Sequence, residues 1–231
     1  MNPDSMAVVV SAYRIPRDVI DAFIGWNAFV FKANDVKLFL VLDRMETFTQ
    51  PWIYPVRYPR EQEQFSLPKT VNYGLRRAAE VADVLVKSDI DIIFSSSILE
   101  QVRRTVTPMV GLVGICANVQ TPEHLATKNW ARATKRRTGM GACFAMHRTA
   151  WFALCGYNEK MIGWGADDTD MHRRASRALT INVTDECPLY HVNHQERKSK
   201  DKGAFFEFRS QQNLMVSVIP WHSVKWGEAS E

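Results

Sequence analysis

The stretch Ala82-Asp-Val-Leu-Val-Lys-Ser-Asp-Ile-Asp91 decides the fold, because it joins a short apolar run to two closely spaced aspartates. A run of this length that is rich in Val and Leu is typical of a buried strand. Successive side chains of an extended chain point to opposite sides, so Asp89 and Asp91 share one side and Ile90 takes the other. Two carboxylates on one side offer the hard oxygen ligands that Mg²⁺ and Mn²⁺ prefer. Two solvated aspartates of a turn would show the same pattern, so the motif alone leaves both interpretations open.

Other apolar runs resemble this strand, and amphipathic segments alternate with them. This alternation predicts an α/β protein with a mostly parallel central sheet flanked by helices. Ligands of such sheets bind outside the carboxyl ends of the strands, where Ser11, Asp43 and Asp89 lie. The segment 44–66, rich in Pro, Tyr and charged residues, is predicted to be an irregular loop. The predicted strands are Ala7–Ser11, Val36–Asp43, Ala82–Lys87 and Val110–Ala117, and the predicted helices begin at Pro16, Pro68 and Ser95–Ser97.

The second half of the chain has a less regular pattern. Residues 118–140 are predicted to form a polar, basic loop, followed by a strand at Gly141–Met146 and a short helix that ends at Gly156. The last strand is predicted at Cys187–His191, and Ala204–Ile219 is predicted to be a closing helix. Its inward side chains would be Phe205, Phe208, Leu214, Met215 and Val218.

The composition is that of an ordinary globular protein, with 46% hydrophobic and 23% charged residues in 231. The formal charge of +4 permits a polyanionic partner without requiring one. No apolar run approaches the ~20 residues that span a bilayer, and the N-terminus shows no signal peptide. The four scattered cysteines indicate free thiols in a reducing compartment. We therefore expect a cytoplasmic protein without a membrane anchor.

The stretch Gly156–Arg174 places three carboxylates, those of Asp167, Asp168 and Asp170, at the predicted start of a helix. Free N–H groups and the helix dipole stabilise anions there, so a well-capped helix is one interpretation. The other is a general base, which must lie within ~3 Å of the hydroxyl that it deprotonates. A cap needs only one side-chain oxygen. It also does not explain Gly163-Trp164-Gly165, an aromatic residue between two residues that allow close backbone approach.

Two histidines and two basic runs are further candidates for binding, the histidines for a metal and the basic runs for phosphates. His191 and His194 lie three residues apart and offer imidazole ligands to a metal, with structural roles as the alternative. The basic runs Arg132–Arg137 and Arg197–Lys202 suit the phosphates of a sugar nucleotide or of an acceptor. Solvated surface is the alternative for these runs.

Taken together, the ordered motifs resemble the GT-A glycosyltransferases. They are most similar to the β-1,4-galactosyltransferases, the polypeptide N-acetylgalactosaminyltransferases and the bacterial chondroitin polymerase. The likeness covers roughly residues 7–196 in the family's order. The motifs that carry it are Phe65–Gly74, Ser88-Asp-Ile-Asp-Ile92, Gly139–Arg148, Gly156-Tyr-Asn-Glu159, Gly163–Asp170 and His194-Gln-Glu196.

The resemblance implies a role for each matching residue. Asp168 matches the family's general base and Asp167 its neighbouring glutamate. Asp91 would coordinate Mn²⁺ (or Mg²⁺), with Asp89 close to the metal or the donor ribose. His194 would be a second metal ligand, with His191 as the reserve candidate. Trp164 would line the junction of donor and acceptor. The residues implied on the donor side are Ser11, Tyr13, Arg14, Asp43 and Asn72.

The implied activity is a metal-dependent, inverting transfer of a sugar from a UDP-sugar to a hydroxyl group. The acceptor would be a glycan, a protein or a hydroxymethylated base in DNA, in the cytoplasm of a bacterial or phage-infected cell. One GT-A domain would cover residues 1–231, with a nucleotide-sugar and metal half over 1–117 and an acceptor half over 118–231. Asp167 and Thr169 depart from the family's glutamate and aspartate, which bears on acceptor recognition.

Two other classes of function use the same residues. A metal-dependent nuclease or phosphohydrolase would use the acids and histidines, with basic loops that hold nucleic acid. It would leave Gly163-Trp164-Gly165 and His194-Gln-Glu196 without a clear role. A non-catalytic module that binds a nucleotide sugar or nucleic acid is the third class, and the intact set of acids argues against it.

Overall fold

The computed structural model describes residues 5–59, 65–119, 136–137, 141–163, 165–192, 212–213, 215–217, 221–223 and 225–228. The strands are β1 (Met6–Ser11), β2 (Val36–Leu42), β3 (Ile53–Arg57), β4 (Val84–Ser88), β5 (Ile92–Phe94), β6 (Val110–Val119), β7 (Arg136–Arg137), β8 (Cys143–His147) and β9 (Thr180–Val192). The helices are α1 (Arg17–Ala33), α2 (Leu67–Ala78), α3 (Ser96–Thr105), α4 (Arg148–Ala153) and α5 (Asp167–Ala178).

All of these strands belong to one sheet, in the order β3-β2-β1-β4-β8-β6-β9-β5, with β7 beside β6. The strands β1, β2, β3 and β4 pair in parallel, and so do β6 and β9. β8 lies antiparallel between β4 and β6, and β5 lies antiparallel beside β9. The predicted α/β class with a mostly parallel sheet is therefore confirmed. The insertion of β8 brings the second half of the chain to the end of β4.

Helices cover both faces of the sheet. On one face, α1 and α3 bury apolar side chains such as Phe23 and Leu99 against the strands. On the other face, α2, α4 and α5 bury Leu75, Trp151 and Met171. Full burial of one such side chain stabilises the fold by about 1.5–3 kcal/mol. With both faces packed, the strand ends and their loops are where a ligand site can form.

The helix starts follow the predicted signals. Ser95 caps α3, because its hydroxyl accepts a hydrogen bond from the Ile98 amide at 3.4 Å. Pro16 directly precedes α1.

Asn27, on the apolar face of α1, is fully buried. Its side chain donates to the Ile92 carbonyl at 2.9 Å and accepts from the Phe94 amide at 2.8 Å, which holds β5 against the helix.

The prediction of an irregular loop over residues 44–66 was wrong in one part. Residues 53–57 form β3, which pairs in parallel with β2 and ends the sheet. Pro55 obscures this strand in the sequence, but an edge strand tolerates proline because its outer side needs no ladder hydrogen bond. β5 was not predicted, and β9 is longer than the predicted Cys187–His191 because its first part pairs with β6.

The predicted inward face of the closing helix was wrong at Met215. That side chain is 73% exposed, whereas Asn213 and Ser217 are buried. Apolar content alone predicted the opposite orientation, but the Asn213 side chain faces inward because it bonds to the backbone of Ile162 and Gly165. Other residues of the predicted helix, including Phe205 and Phe208, lie outside the described part of the chain.

The cysteines fit the predicted free thiols where they are described. Cys116, Cys143 and Cys155 are buried and unbridged. Burial raises the pKa of the Cys143 thiol to about 12, so it stays protonated. The side chain of Cys187 lies outside the described residues. Among the described helices, none is long and apolar enough to cross a membrane.

Candidate active site

Three segments of the chain meet at the ammonium group of Lys87, in β4. Lys87 Nζ donates to Asp89 Oδ1 at 2.8 Å and to the Gly141 carbonyl at 2.9 Å. The same nitrogen lies 3.3 Å from Asp168 Oδ1. Lys87 itself is 1% exposed. The first aspartate of the Asp-x-Asp motif and the second acid at the start of α5 therefore share one buried cation.

Gly141 packs against both of these carboxylates. Cys143 lies opposite Ser88 in the antiparallel pair of β8 and β4, so the residues before β8 run beside those after β4. A Cβ atom at position 141 would lie 2.4 Å from Asp168 Oδ2 and 3.2 Å from Asp89 Oδ2. The first of these distances is a clash. The two carboxylates therefore gather over a backbone position where a side chain would displace them.

Asp168 has a second hydrogen-bond donor in Tyr157. The Tyr157 hydroxyl donates to Asp168 Oδ1 at 3.1 Å, and the burial of Tyr157, with Asp168 nearby, raises its pKa well above the ordinary value. Burial of Lys87 opposes its charge, but the carboxylates of Asp168 and Asp89 outweigh that effect and hold the pKa of Lys87 well above its usual value. Near pH 7, a neutral phenol and a charged ammonium therefore both donate to one carboxylate oxygen.

Asp167 is buried beside this group. It is 4% exposed, and its Oδ1 accepts a hydrogen bond from the Gly165 amide at 2.8 Å. Within the described residues, its Oδ2 has no hydrogen-bond partner. Burial and the neighbouring charge of Asp168 raise the pKa of Asp167 to about 6. A buried carboxylate oxygen of this kind suits a hydroxyl group of a bound ligand.

The interpretation of the acids as helix caps does not fit the start of α5. The N-cap residue is Ala166, in a left-handed conformation with φ +63°, and it has no side-chain cap hydrogen bond. Asp170 is structural instead. Its Oδ2 accepts from Arg174 Nε at 2.9 Å, and the same guanidinium donates to the Leu154 and Gly156 carbonyls. Asp170 therefore ties α5 to the turn after α4.

The second aspartate of the Asp-x-Asp motif faces a histidine. His191 Nε2 lies 3.1 Å from Asp91 Oδ2, because Ile92 and His191 are paired in β5 and β9. Burial of the Asp89 carboxyl, together with the charges of Asp168 and Asp91, raises its pKa despite the opposing effect of Lys87. A carboxylate beside an imidazole fits the ligand chemistry of Mn²⁺.

A complete metal site does not follow from the described residues. Within them, no three His, Cys, Asp or Glu side chains form a cluster able to hold an ion. His194, the other predicted histidine ligand, lies outside the described part, as does Trp164. His191, predicted as the reserve metal ligand, therefore lies beside Asp91. His194 is not among the described residues.

The predicted donor-side residues lie at the ends of β1 and β2. The Ser11 and Thr70 hydroxyls are 2.8 Å apart, which joins the end of β1 to α2. Tyr13 is 4% exposed, stacked on Phe65 with ring centroids 5.7 Å apart. Arg14 has a left-handed backbone with φ +58° and is exposed. Asp43 forms an ion pair with its neighbour Arg44 at 3.2 Å.

Asn72 does not fit the predicted contact with the donor. It is fully buried, and its amide donates to the Tyr157 carbonyl and to Glu159 Oε1, both at 2.8 Å. It also accepts from the Tyr157 amide at 2.7 Å. These bonds use its amide groups inside the protein, so Asn72 holds the Gly156–Glu159 turn in place. That turn carries Tyr157, which donates to Asp168.

Comparisons with known proteins bear on the fold and on the class of protein. Residues 121–196 match the family model of the N-terminal domain of galactosyltransferase. No curated protein matches the chain in sequence. A mutant Drosophila β-1,4-galactosyltransferase 7 in complex with manganese, UDP-Gal and xylobiose has 13% identity and a TM-score of 0.58, over 95% of this chain and 82% of that one. The chain has the GT-A glycosyltransferase fold.

Two other solved structures share the GT-A fold with this chain. The mannosyltransferase PcManGT from Pyrobaculum calidifontis, in complex with GDP-Man and Mn²⁺, has 14% identity and a TM-score of 0.58, over 94% of this chain and 64% of that one. S. aureus TarS 1-349 has 12% identity and a TM-score of 0.59, over 96% of this chain and 68% of that one. Together with the family match, they support a glycosyltransferase.

Two residues of the candidate site were not predicted from the sequence. Lys87 had a visible signal, because a lysine inside an apolar strand must find a buried anion. The signal for Tyr157 was weaker. Tyr157 belongs to the Gly156-Tyr-Asn-Glu159 motif, but the motif does not indicate which residue the Tyr157 hydroxyl contacts. Both contact Asp168, which lies in a different segment of the chain.

Proposed function

We propose that this protein is a metal-dependent, inverting glycosyltransferase that moves a sugar from a nucleotide sugar to a hydroxyl acceptor, within one GT-A domain over residues 1–231. The observation that carries the proposal is the meeting of Asp89 and Asp168 at Lys87, beside the strand ends of the sheet. An acid that follows β4 and an acid in the first turn of α5 therefore both contact one cation, which supports a shared catalytic role for them. A nucleotide-binding module without turnover would not need the second acid.

The donor and the metal are proposed from the chemistry of the site and from the structural neighbours. Those neighbours bind UDP-Gal or GDP-Man together with manganese. Asp91 and His191 would hold Mn²⁺ here, with Asp89 close by and His194 as the other histidine candidate. A bound metal would stabilise the charge of the departing nucleoside diphosphate. Ser11, Tyr13, Arg14 and Asp43 would line the nucleotide side, and we favour a UDP-sugar.

Asp168 is the proposed general base. Lys87 and Tyr157 both donate to its Oδ1 and hold the carboxylate in one orientation. Its Oδ2 is then the oxygen that takes the proton from the acceptor hydroxyl as the acceptor oxygen bonds to the anomeric carbon. The bond from that carbon to the diphosphate breaks on the opposite face, which inverts the configuration. Asp167 would bind another hydroxyl of the acceptor, and Trp164 would line the junction of the two substrates.

The acceptor is proposed to be a glycan. The Drosophila neighbour binds xylobiose, and the buried oxygen of Asp167 suits a sugar hydroxyl. Protein hydroxyls and hydroxymethylated bases in DNA are the other acceptors to test, because the basic runs Arg132–Arg137 and Arg197–Lys202 suit phosphates. These runs lie almost entirely outside the described residues. A cytoplasmic location completes the proposal and agrees with the buried, unbridged thiols described above.

One assay separates this function from the alternatives. The protein is incubated with UDP- and GDP-sugars and Mn²⁺, with or without oligosaccharides, peptides or hydroxymethylated DNA, and release of nucleoside diphosphate is followed. We expect release to depend on Mn²⁺ and to rise with one class of acceptor. Cleavage of DNA without a sugar nucleotide would favour a nuclease. Donor binding without release in any arm would favour a binding module.

Replacement of Lys87 by Met is expected to lower both the stability of the protein and the rate of sugar transfer. The variant leaves Asp89 and Asp168 close together without their shared cation. Loss of one partner of a buried ion pair costs about 3–5 kcal/mol, but both carboxylates are partly exposed, so we expect a loss of about 1–3 kcal/mol in the free energy of unfolding. Transfer should fall at least about tenfold, since the orientation of the base is lost.

Chemical denaturation and steady-state transfer kinetics measure these two effects. Lys32→Met, on the exposed end of α1, is the matched control, because that lysine lies away from the carboxylates. If Lys87→Met kept the stability and the kcat of the wild type, Lys87 would have no role in holding Asp168.

A further inference from the structure

Residues near the C-terminus contact the backbone just before the start of α5, at Ile162 and Gly165. The described residues of this C-terminal segment are 212–213, 215–217, 221–223 and 225–228. It makes contacts at several points along the acceptor half. Trp221 Nε1 donates to the Cys155 carbonyl at 2.8 Å, and the Gly227 amide donates to Glu159 Oε1 at 2.6 Å. Arg173 of α5 donates to the Ser217 carbonyl.

Asn213 makes the contacts closest to the proposed chemistry. Its Oδ1 accepts from the Ile162 amide at 3.2 Å. Its Nδ2 donates to the Ile162 carbonyl at 3.0 Å and to the Gly165 carbonyl at 2.9 Å. Asn213 is 3% exposed. One buried amide therefore bonds to the backbone on both sides of residues 163–164, and this pattern needs a donor and an acceptor on the same planar group.

The turn depends on such external support. Gly163, Gly165 and Ala166 all have positive φ values, +72°, +106° and +63°. A left-handed alanine costs free energy and persists only where the surroundings hold it. From the other side, the Leu67 amide donates to the Gly163 carbonyl at 3.0 Å. The turn is thus held between the start of α2 and Asn213.

We propose that Asn213 is a positioning residue for the acceptor side of the site. It holds the backbone of Ile162 and Gly165 and thereby the start of α5, where Asp167 and Asp168 follow directly. The inference rests on the proposed transferase function for its kinetic consequence. The structural role of Asn213, whose side-chain amide bonds to the backbone of Ile162 and Gly165, does not depend on that function. Within the described part of the chain, the side chain of Asn213 bonds to Ile162 and Gly165 and to none of the proposed metal or nucleotide residues, so donor binding should not need it.

The test compares Asn213→Ala, Asn213→Asp and the control Met215→Ala. Met215 lies in the same helical segment but is 73% exposed. For Asn213→Ala we expect a fall in kcat of at least about tenfold, because small misplacements of reacting groups are costly, with donor affinity within twofold of the wild type. Asn213→Asp should be at least as impaired, since it places a carboxylate oxygen against two carbonyls. Met215→Ala should behave as the wild type.

Hydrogen exchange gives a readout that does not depend on activity. In Asn213→Ala, the peptide that contains residues 162–165 should exchange faster, whereas peptides from β1 and β4 should not change. Unchanged exchange of that peptide, unchanged kcat, or a loss of donor affinity equal to the loss of kcat would overturn the proposal. If the wild type itself transferred no sugar, the proposed function would fail, and the exchange data would still decide the role of Asn213.

Discussion

Asp168→Asn is expected to abolish measurable sugar transfer while the nucleotide sugar still binds. A positioned general base contributes typically ~10²–10⁴-fold to the rate, and an amide cannot take the proton of the acceptor hydroxyl. The substitution keeps the size of the side chain and keeps one oxygen for Lys87 and Tyr157, which both donate to Oδ1 in the structure. We therefore expect kcat to fall about 10²–10⁴-fold, with donor affinity close to that of the wild type.

The measurement combines release of nucleoside diphosphate with calorimetry of donor binding. Asp21→Asn serves as the matched control, because Asp21 is an exposed carboxylate of α1 that pairs with Arg17. It should leave both quantities unchanged. Transfer by Asp168→Asn within threefold of the wild-type rate would show that another group takes the proton, and Asp167 would then be the first candidate.

The fold follows from local patterns where each strand is apolar and buried on both faces. Met6–Ser11 and Val36–Leu42 are of this kind, and the sequence predicts both strands to within a residue at each end. β3 is different, because its alternate residues are exposed and Pro55 interrupts the strand pattern. Its pairing with β2 is a tertiary preference that outweighs local propensity.

The candidate site depends on contacts between distant segments, and this limits what a sequence can predict. Asp89 and Asp168 were each identified from local motifs. Their common partner Lys87 could not be assigned, because the contact depends on β8 lying antiparallel beside β4. The bonds of Asn72 to Tyr157 were not predicted for the same reason, since they connect residues far apart in the chain. Motifs identify residue types, and sheet topology decides which of them meet.

Asp91→Ala is expected to remove metal-dependent binding of the donor. Asp91 and His191 lie 3.1 Å apart and form the described part of the proposed metal site. Mutation of residues that only support metal ligands costs 10–100-fold in affinity, so we expect loss of a carboxylate ligand to weaken donor binding in Mn²⁺ by at least about 100-fold. Calorimetric titration of UDP-sugar in the presence of Mn²⁺ measures this, and wild-type protein in EDTA should bind as weakly as the variant.

The matched control is Asp21→Ala, which removes an exposed carboxylate on α1 and should bind the donor normally. Parallel titrations of His191→Ala and His194→Ala decide which histidine is a ligand. The contact with Asp91 favours His191, so His191→Ala should lose more affinity than His194→Ala. If Asp91→Ala kept the wild-type affinity in Mn²⁺, the Asp-x-Asp motif would not hold the metal. Asp91 would then have a structural role, through its contact with His191.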